Sequence, residues 1–166
     1  MAYYDDIAPG YDDLHKEEQL QKLLLMLDAL SVTQEDSVLD VGCGTAFSFE
    51  VLQQIGCRYQ GLEPSKGLIE HSRYRSKITQ GAAEDIPFPD GFFSVVISVT
   101  ALQNFTDPKK GLQEINRICR DRAAISFLKR GERKELFDEL IREIFEVDTV
   151  VEEARDLIYV VKHKNT

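Results

Sequence analysis

Apolar residues recur at three- and four-residue steps in several stretches of the chain. This spacing places them on one side of an α-helix. The first stretch is residues 17–30, where it predicts a buried face of five leucines, Leu20, Leu23, Leu24, Leu27 and Leu30. Four more helices are predicted over residues 47–55, 66–74, 108–119 and 132–145. Asp107 is expected to cap the fourth of these helices, with Pro108 as its first residue.

Short apolar runs between these helices indicate buried strands. The clearest run is FFSVVISV, residues 92–99, whose β-branched residues predict a central strand that is buried on both faces. Only a turn separates two strands at the end of the chain, 147–152 and 157–162, so this pair must be antiparallel. The remaining predicted strands are 37–41, 57–62, 77–80 and 123–128.

Strands and helices that alternate along a chain predict a doubly wound α/β sheet. Here five strands alternate with helices and a hairpin follows. The predicted fold is therefore a Rossmann-like sheet of seven strands, mostly parallel, with a C-terminal antiparallel hairpin. No repeat or linker divides the 166 residues, so we expect a single domain over 1–166. Residues 1–30 then form an N-terminal cap segment and helix, and residues 36–166 form the core.

The composition is that of a globular chain, because 43% hydrophobic and 30% charged residues exclude a disordered one. No apolar run reaches the roughly 18 residues of a membrane-spanning helix. The acidic N-terminus lacks the order of a signal peptide, and three scattered cysteines form no disulfide framework, so a cytoplasmic location is expected. The net charge of −9 argues against direct nucleic-acid binding without a basic partner.

The most informative segment follows the first predicted strand and reads Asp40-Val41-Gly42-Cys43-Gly44. Two glycines allow a tight turn and the close approach of a ligand to the backbone. Ligands of doubly wound sheets bind at the carboxyl ends of the strands, where this turn is expected to lie. A turn with a purely structural role is the alternative explanation.

Glu63 stands at the end of the second predicted strand, where an acid can accept hydrogen bonds from two ribose hydroxyls. The glycine turn and Glu63 together fit either a nicotinamide dinucleotide or S-adenosylmethionine. A dinucleotide fingerprint has a third glycine, but Phe47 occupies that position. S-adenosylmethionine has no phosphate and carries an ammonium and a sulfonium group, which favour a nearby acid such as Asp40.

Longer segments resemble one family. Class I S-adenosylmethionine-dependent methyltransferases have a first motif similar to LDVGCGTA and a ribose-binding motif similar to GLEPS. The ubiquinone- and menaquinone-biosynthesis-like branch of that family, of the methyltransferase domain 11 type, has segments that resemble YYDDIAPGYDDL, QGAAEDIPFPDGFFSVVIS and TALQNFTDPKKGLQEINRICR. The five segments stand in the family's order. The resemblance implies a Rossmann-like fold, with S-adenosylmethionine bound by the core.

The resemblance also implies individual roles in binding this cofactor. Asp40 is expected to meet the methionine ammonium indirectly or through the turn, where Gly42 and Gly44 let the backbone approach. Glu63 is expected to bind the ribose, and Tyr11 to close over the cofactor.

The adenine ring is expected to lie among four residues, Pro64, Ala83, Glu84 and Ile86. Val99, Thr100 and Leu102 are expected near the sulfonium. Ordinary core packing is the alternative for Ile86, Val99 and Leu102. Ala82 departs from the family pattern, because relatives often have an acid there that contacts the adenine amino group.

Three functions follow from the resemblance. The first is methyl transfer from S-adenosylmethionine to a small-molecule acceptor, and no catalytic residue can be named for it. The second is the catalytic subunit of a tRNA- or protein-modifying methyltransferase that needs a partner. The third is a cofactor-binding module without catalysis, suggested by Ala82 and by Gln103, which stands where relatives often have a histidine.

Relatives often insert helices that cover the substrate after the fifth strand, and the chain lacks them. We therefore expect an open site, which a second copy of the chain or an activating subunit could complete. The three histidines, His15, His71 and His163, have no metal-ligand spacing, so no metal site is expected.

Overall fold

A computed structural model describes residues 2–165, and for residues 2–15 it describes the backbone alone. The strands are β1 (Ser37–Val41), β2 (Arg58–Glu63), β3 (Ile78–Gln80), β4 (Phe93–Ser98), β5 (Cys119–Leu128), β6 (Glu146–Glu152) and β7 (Asp156–Lys162). The α-helices are α1 (Ala2–Leu30), α2 (Ser48–Ile55), α3 (Lys66–His71), α4 (Pro108–Ile118) and α5 (Lys134–Ile144). Two single 3-10 turns, Arg75–Lys77 and Leu102–Asn104, precede β3 and follow β4.

Within the described range, the seven strands form one sheet in the order β3-β2-β1-β4-β5-β7-β6. The first five strands run parallel, whereas β7 is antiparallel to both β5 and β6. This confirms the predicted Rossmann-like sheet and its terminal hairpin. The chain order reverses at β1, which lies between β2 and β4. A crevice for ligands is expected at the carboxyl ends of these strands.

Helices cover both faces of the sheet. Residues that alternate along β1 and β4 belong to two separate buried clusters, as strand geometry requires. One cluster includes Leu23 of α1 and Leu52 of α2. The other includes Leu112 of α4 and Ile141 of α5. Burial on both faces accounts for the nearly continuous apolar sequence of β4.

Helix α1 differs most from its prediction. It begins at Ala2 instead of residue 17, although Pro9 and Gly10 are poor residues for a helix interior. Leu24 was expected on the buried face but is half exposed, because the helix turns Met26 and Lys22 inward instead. The prediction used the leucines alone to define the buried face, so the predicted face is rotated from the observed one by part of a turn.

Other boundaries shift by a few residues. Strand β5 begins directly after α4, four residues before the predicted start at Ala123. Leu136 of α5 was expected to be buried but is exposed. The cap of α4 is confirmed, since the Asp107 carboxylate accepts the Lys110 N–H at 3.1 Å. Across residues 2–165, none of the helices is both long and apolar enough to cross a membrane.

Candidate active site

A cavity opens at the carboxyl ends of β1, β2 and β4, where the strand order reverses. With its open mouth it encloses about 740 Å³. Seven of the residues proposed from the sequence line it: Gly42, Glu63, Pro64, Ala83, Glu84, Val99 and Thr100. The topology therefore brings together side chains that lie far apart in the sequence.

The turn after β1 forms the floor of the cavity. Gly42 and Gly44 have φ values of 76° and 61°, in the left-handed region that glycine adopts without strain. A Cβ atom on Gly42 would lie 2.6 Å from the Cβ of Ala101. The N–H groups of Gly42 and Cys43 both donate to the carbonyl of Leu62, which fixes the turn to the end of β2. Only glycine leaves the backbone of residue 42 open to a ligand.

Glu63 ends β2 with a carboxylate that is buried beside this turn. Its Oε1 accepts the Gly44 N–H at 2.9 Å, and its Oε2 accepts the Ser65 N–H at 2.8 Å. Ser65 in turn caps α3 by accepting the Leu68 N–H at 3.2 Å. The backbone thus holds the carboxylate in one orientation. A carboxylate oxygen has more than one acceptor position, so a ligand hydroxyl can share an oxygen with a backbone N–H.

Asp40 lies beneath the turn and does not line the cavity. Its Oδ2 accepts hydrogen bonds from Ser48 Oγ at 2.5 Å and from Tyr59 OH at 3.4 Å. No ion pair among the described residues involves Asp40. Burial raises the pKa of Asp40 to about 6, and the hydrogen bonds from Ser48 and Tyr59 only partly oppose this increase. Any influence on a bound ligand would have to pass through the turn.

The remaining predicted site residues lie outside the lining. Gly44 contacts Glu63 through its backbone but does not face the cavity. Ile86 is fully buried in the cluster that includes Leu112, which fits the core-packing alternative. Tyr11 lies outside the residues whose side chains the structure describes, and its role stays a prediction.

Ala82, the position that departs from the family pattern, also lines the cavity, and sequence reasoning gave no role to the other lining residues, namely Leu68, Gly81, Ala101, Asn104, Phe105 and Thr106. Most of them flank the motif segments, and proximity to those segments was the available signal. Glu84 shows how the loops are joined, because its Oε2 accepts the Asp107 N–H at 2.8 Å, at the start of α4.

The charge of the lining distinguishes between the two candidate cofactors. Within the described part of the chain, two acids, Glu63 and Glu84, line the cavity, and no Lys, Arg or His does. A pyrophosphate favours cationic or helix N-terminal partners, whereas a ribose beside a sulfonium favours acids. The glycine turn and the buried Glu63 therefore fit S-adenosylmethionine better than a dinucleotide. No cluster of three His, Cys, Asp or Glu among the described residues is placed to hold a metal ion.

Comparisons with known proteins agree with this chemistry. Residues 39–127, more than half of the chain, match the methyltransferase domain family. The chain is 32% identical over 126 residues to the demethylmenaquinone methyltransferase of Renibacterium salmoninarum, an alignment that covers 72% of this chain and 53% of that protein. The chain spans about half the length of the curated relatives it matches.

Solved structures share the fold over almost the whole chain. A chain from the complex between the Haloferax volcanii Trm112 methyltransferase activator and a proposed methyltransferase superposes with a TM-score of 0.82, at 18% identity and 98% coverage of both chains. The TehB-like S-adenosylmethionine-dependent methyltransferase of Corynebacterium glutamicum gives a TM-score of 0.76, at 20% identity and coverage of 98% and 99%. The chain belongs to the methyltransferase domain family of class I S-adenosylmethionine-dependent methyltransferases, and its cofactor is S-adenosylmethionine.

Proposed function

We propose that the protein transfers the methyl group of S-adenosylmethionine to a small-molecule acceptor. The observation that carries the proposal is the cavity beside the Gly42 turn, where a buried Glu63 carboxylate is held by two backbone N–H groups. When bound, the cofactor supplies a methyl group on a positively charged sulfur, which leaves as a neutral thioether.

Each part of the lining has a distinct role in this proposal. Glu63 accepts the ribose hydroxyls, and the Gly42 turn lets the backbone approach the methionine part. Asp40 favours the methionine ammonium through the turn. Pro64, Ala83 and Glu84 surround the adenine. Residues 36–166 then form the cofactor-binding core of a single domain.

The acceptor enters at the other end of the cavity, toward Val99 and the segment that follows β4. No His or Lys lines that end among the described residues, so no side chain there is assigned as a general base. The protein acts by aligning the acceptor with the methyl group and by excluding water. Residues 1–30, with Tyr11, act as the cap that excludes water from the site. The three unpaired cysteines fit a reducing, cytoplasmic setting.

Calorimetry with S-adenosylmethionine tests the proposal. In the Glu63→Gln variant an NH₂ group replaces an oxygen that accepts a backbone N–H, so two donors face each other. We expect the Kd to rise about 10- to 100-fold, the equivalent of one lost hydrogen bond to a charged group. Glu70→Gln is the matched control, since Glu70 is exposed on α3 and undergoes the same change in charge. Its Kd should equal that of the wild type.

Absence of binding to the wild-type protein would overturn the cofactor assignment and the methyltransferase proposal with it. If binding is found, methyl-labelled S-adenosylmethionine should label a low-molecular-mass acceptor. Demethylmenaquinone is the first acceptor to test, because a relative that is 32% identical is named for it. Binding without transfer to any acceptor would favour the non-catalytic module.

A second candidate is a catalytic subunit that needs a partner to modify tRNA or protein. It is favoured by the likeness, over nearly the full chain, to the Haloferax chain solved with a methyltransferase activator. A basic partner would also offset the net charge of −9 if the substrate is RNA. Co-purification from its host tests this candidate. An obligate partner should raise the molecular mass measured by light scattering above that of the protein purified alone, and it should raise the rate of methyl transfer.

A further inference from the structure

A buried ion pair joins α1 to β7, the last strand in the chain. Lys22 Nζ lies 3.1 Å from Asp156 Oδ1, and the two side chains are 3% and 0% exposed. Nζ is close to Oδ1 but poorly aligned for a hydrogen bond, so the contact is chiefly ionic. Buried pairs of this kind seldom stabilise a fold more than apolar residues of the same size would. The position of the pair therefore matters more than its strength.

Thr100 connects the pair to the cavity. Its Oγ1 accepts a hydrogen bond from Lys22 Nζ at 3.1 Å and donates one to Asp156 Oδ2 at 2.6 Å. Gln19, one turn before Lys22 on α1, also lies 3.2 Å from this hydroxyl. Thr100 itself lines the cavity, whereas Lys22 and Asp156 do not. The charged pair therefore reaches the site through one hydroxyl group.

The backbone of Thr100 is held in an uncommon conformation. Its φ is 52°, in the left-handed region, which is unfavourable for a β-branched residue. Its N–H donates to Ser126 Oγ at 2.9 Å, and its carbonyl accepts Gln103 Nε2 at 2.8 Å. Strained residues persist where their surroundings over-determine them, and they are concentrated at functional sites. Every polar group of Thr100 is engaged in this way.

The location of Thr100 in the cavity indicates what it adjoins. Glu63 ends β2, Thr100 follows β4, and the Gly42 turn of β1 lies between them. With the ribose at Glu63 and the adenine against Pro64 and Ala83, as proposed above, the sulfur is directed toward Thr100. The inference therefore rests on the proposed function. The wall beside Thr100 is already close to the turn, because a Cβ on Gly42 would meet Ala101.

We propose that Lys22 and Asp156 are positioning residues that hold Thr100 in its left-handed conformation. They thereby fix the cavity wall beside the methyl-bearing sulfur. The same contact couples α1, the helix of the cap segment, to the reacting end of the site. Displacement of that wall should weaken binding of S-adenosylmethionine more than binding of S-adenosylhomocysteine, which lacks the methyl group and the positive charge.

The double variant Lys22→Met/Asp156→Leu removes both charges without leaving one of them buried and unpaired. Its melting temperature should stay near that of the wild type, whereas Lys22→Met alone should lower it. Calorimetry with S-adenosylmethionine and S-adenosylhomocysteine then gives the ratio of the two Kd values. We expect the double variant to shift this ratio at least about 10-fold against S-adenosylmethionine, the equivalent of one lost contact.

Two variants of Thr100 test the same point without touching the ion pair. Thr100→Val keeps the shape of the side chain and removes its hydroxyl, so it should shift the ratio as the double variant does. Thr100→Ser keeps the hydroxyl and should leave the ratio close to the wild-type value. This comparison holds even where the double variant does not fold.

Arg122→Met is the matched control, because Arg122 ties the C-terminal end of α1, away from Lys22. Arg122 Nε donates to the Leu30 carbonyl at 2.6 Å, and its guanidinium pairs with Asp36 at 2.9 Å. This variant should lower the melting temperature without changing the ratio. A wild-type ratio in both the double variant and Thr100→Val would overturn the inference alone. A wild-type protein that binds neither cofactor form would overturn the proposed function as well.

Discussion

Two buried carboxylates, Asp36 at the amino edge of the parallel strands and Asp40 near their carboxyl edge, have pKa values shifted in opposite directions. At the amino edge, Asp36 accepts the Thr33 N–H and the Ser94 hydroxyl, each at 2.9 Å, and pairs with Arg122. Burial raises the pKa of Asp36, but these three partners outweigh it and leave the pKa below its usual value. At the carboxyl edge, Asp40 has neutral hydrogen-bond donors, and burial raises its pKa to about 6.

The left-handed backbone positions of the two edges also differ in what they adjoin. At the carboxyl edge, Gly42 and Thr100 line the cavity, and Gly44 and Ala46 are left-handed in the segment that follows β1. At the amino edge, Ser31, Gly56 and Gly91 are left-handed with φ values of 50°, 87° and 62°, and none of them lines the cavity. Gly56 serves as the C-cap of α2, where this conformation is favourable. The difference is therefore one of place: at the carboxyl edge, a left-handed threonine and a buried acid, Glu63, stand where a ligand can bind.

Gly42→Ala should give the largest effect. The new Cβ would lie 2.6 Å from Ala101 Cβ, and the φ of 76° is unfavourable for alanine. Either the wall or the turn must move into the cavity. We expect the Kd for S-adenosylmethionine to rise at least about 100-fold, which corresponds to about 2.7 kcal/mol of binding free energy. Calorimetry on the folded variant measures this change.

Gly56→Ala is the control for strain without crowding. Its φ is similarly left-handed, but the nearest atom to a new Cβ is Gln34 Cβ at 3.8 Å. The variant should lose about 1 kcal/mol of unfolding free energy and keep the wild-type Kd. Equal losses of affinity in both variants would show that the Gly42 effect is only a loss of stability, and the contrast between the edges would not hold.

Much of the fold and of the candidate site could be predicted from the sequence, because local signals specify these features. The apolar runs predicted the strands, the Asp107-Pro108 pair predicted the start of α4, and the family motifs indicated Gly42 and Glu63 at the tips of β1 and β2. Each of these signals depends on residues that are close together in the chain. The structure brings the two motifs together at a single cavity, as the topology of the sheet requires.

The role of Lys22 could not be predicted in this way. Its partner Thr100 is 78 residues away, and Asp156 is a further 56 residues on. A lysine in an amphipathic helix is expected to face solvent. The predicted buried face was defined by leucines and included Leu24, so Lys22 fell outside it. The available signal was that Lys22 is four residues before Met26, at the spacing of the buried face. Tertiary packing decided which side of the helix turned inward.

The pH dependence of Asp40→Asn tests the difference between the two acids. Between pH 4 and 6 the native Asp40 keeps its proton while the unfolded chain loses it, so the free energy of unfolding falls as the pH rises. This fall should amount to about 2–3 kcal/mol. The Asn variant lacks it, so its stability relative to the wild type should rise by that amount from pH 4 to pH 7. Urea unfolding of both proteins measures this change. The same difference in unfolding free energy between variant and wild type at pH 4 and at pH 7 would contradict the raised pKa.

Asp36→Asn should give the smallest effect, with the opposite dependence on pH. Because the native pKa is lowered, the stabilising contribution of this carboxylate is present above the unfolded pKa and lost as the pH falls through the native one. Loss of the partly exposed pair with Arg122 should destabilise the variant by about 1 kcal/mol at pH 7. Urea unfolding should show this difference shrinking as the pH falls below the unfolded pKa and through the lowered native one, while the Kd for S-adenosylmethionine at pH 7 stays at the wild-type value. A difference that does not change at any acidic pH at which the protein stays folded would mean that the side chain stabilises the amino edge through its shape and not its charge.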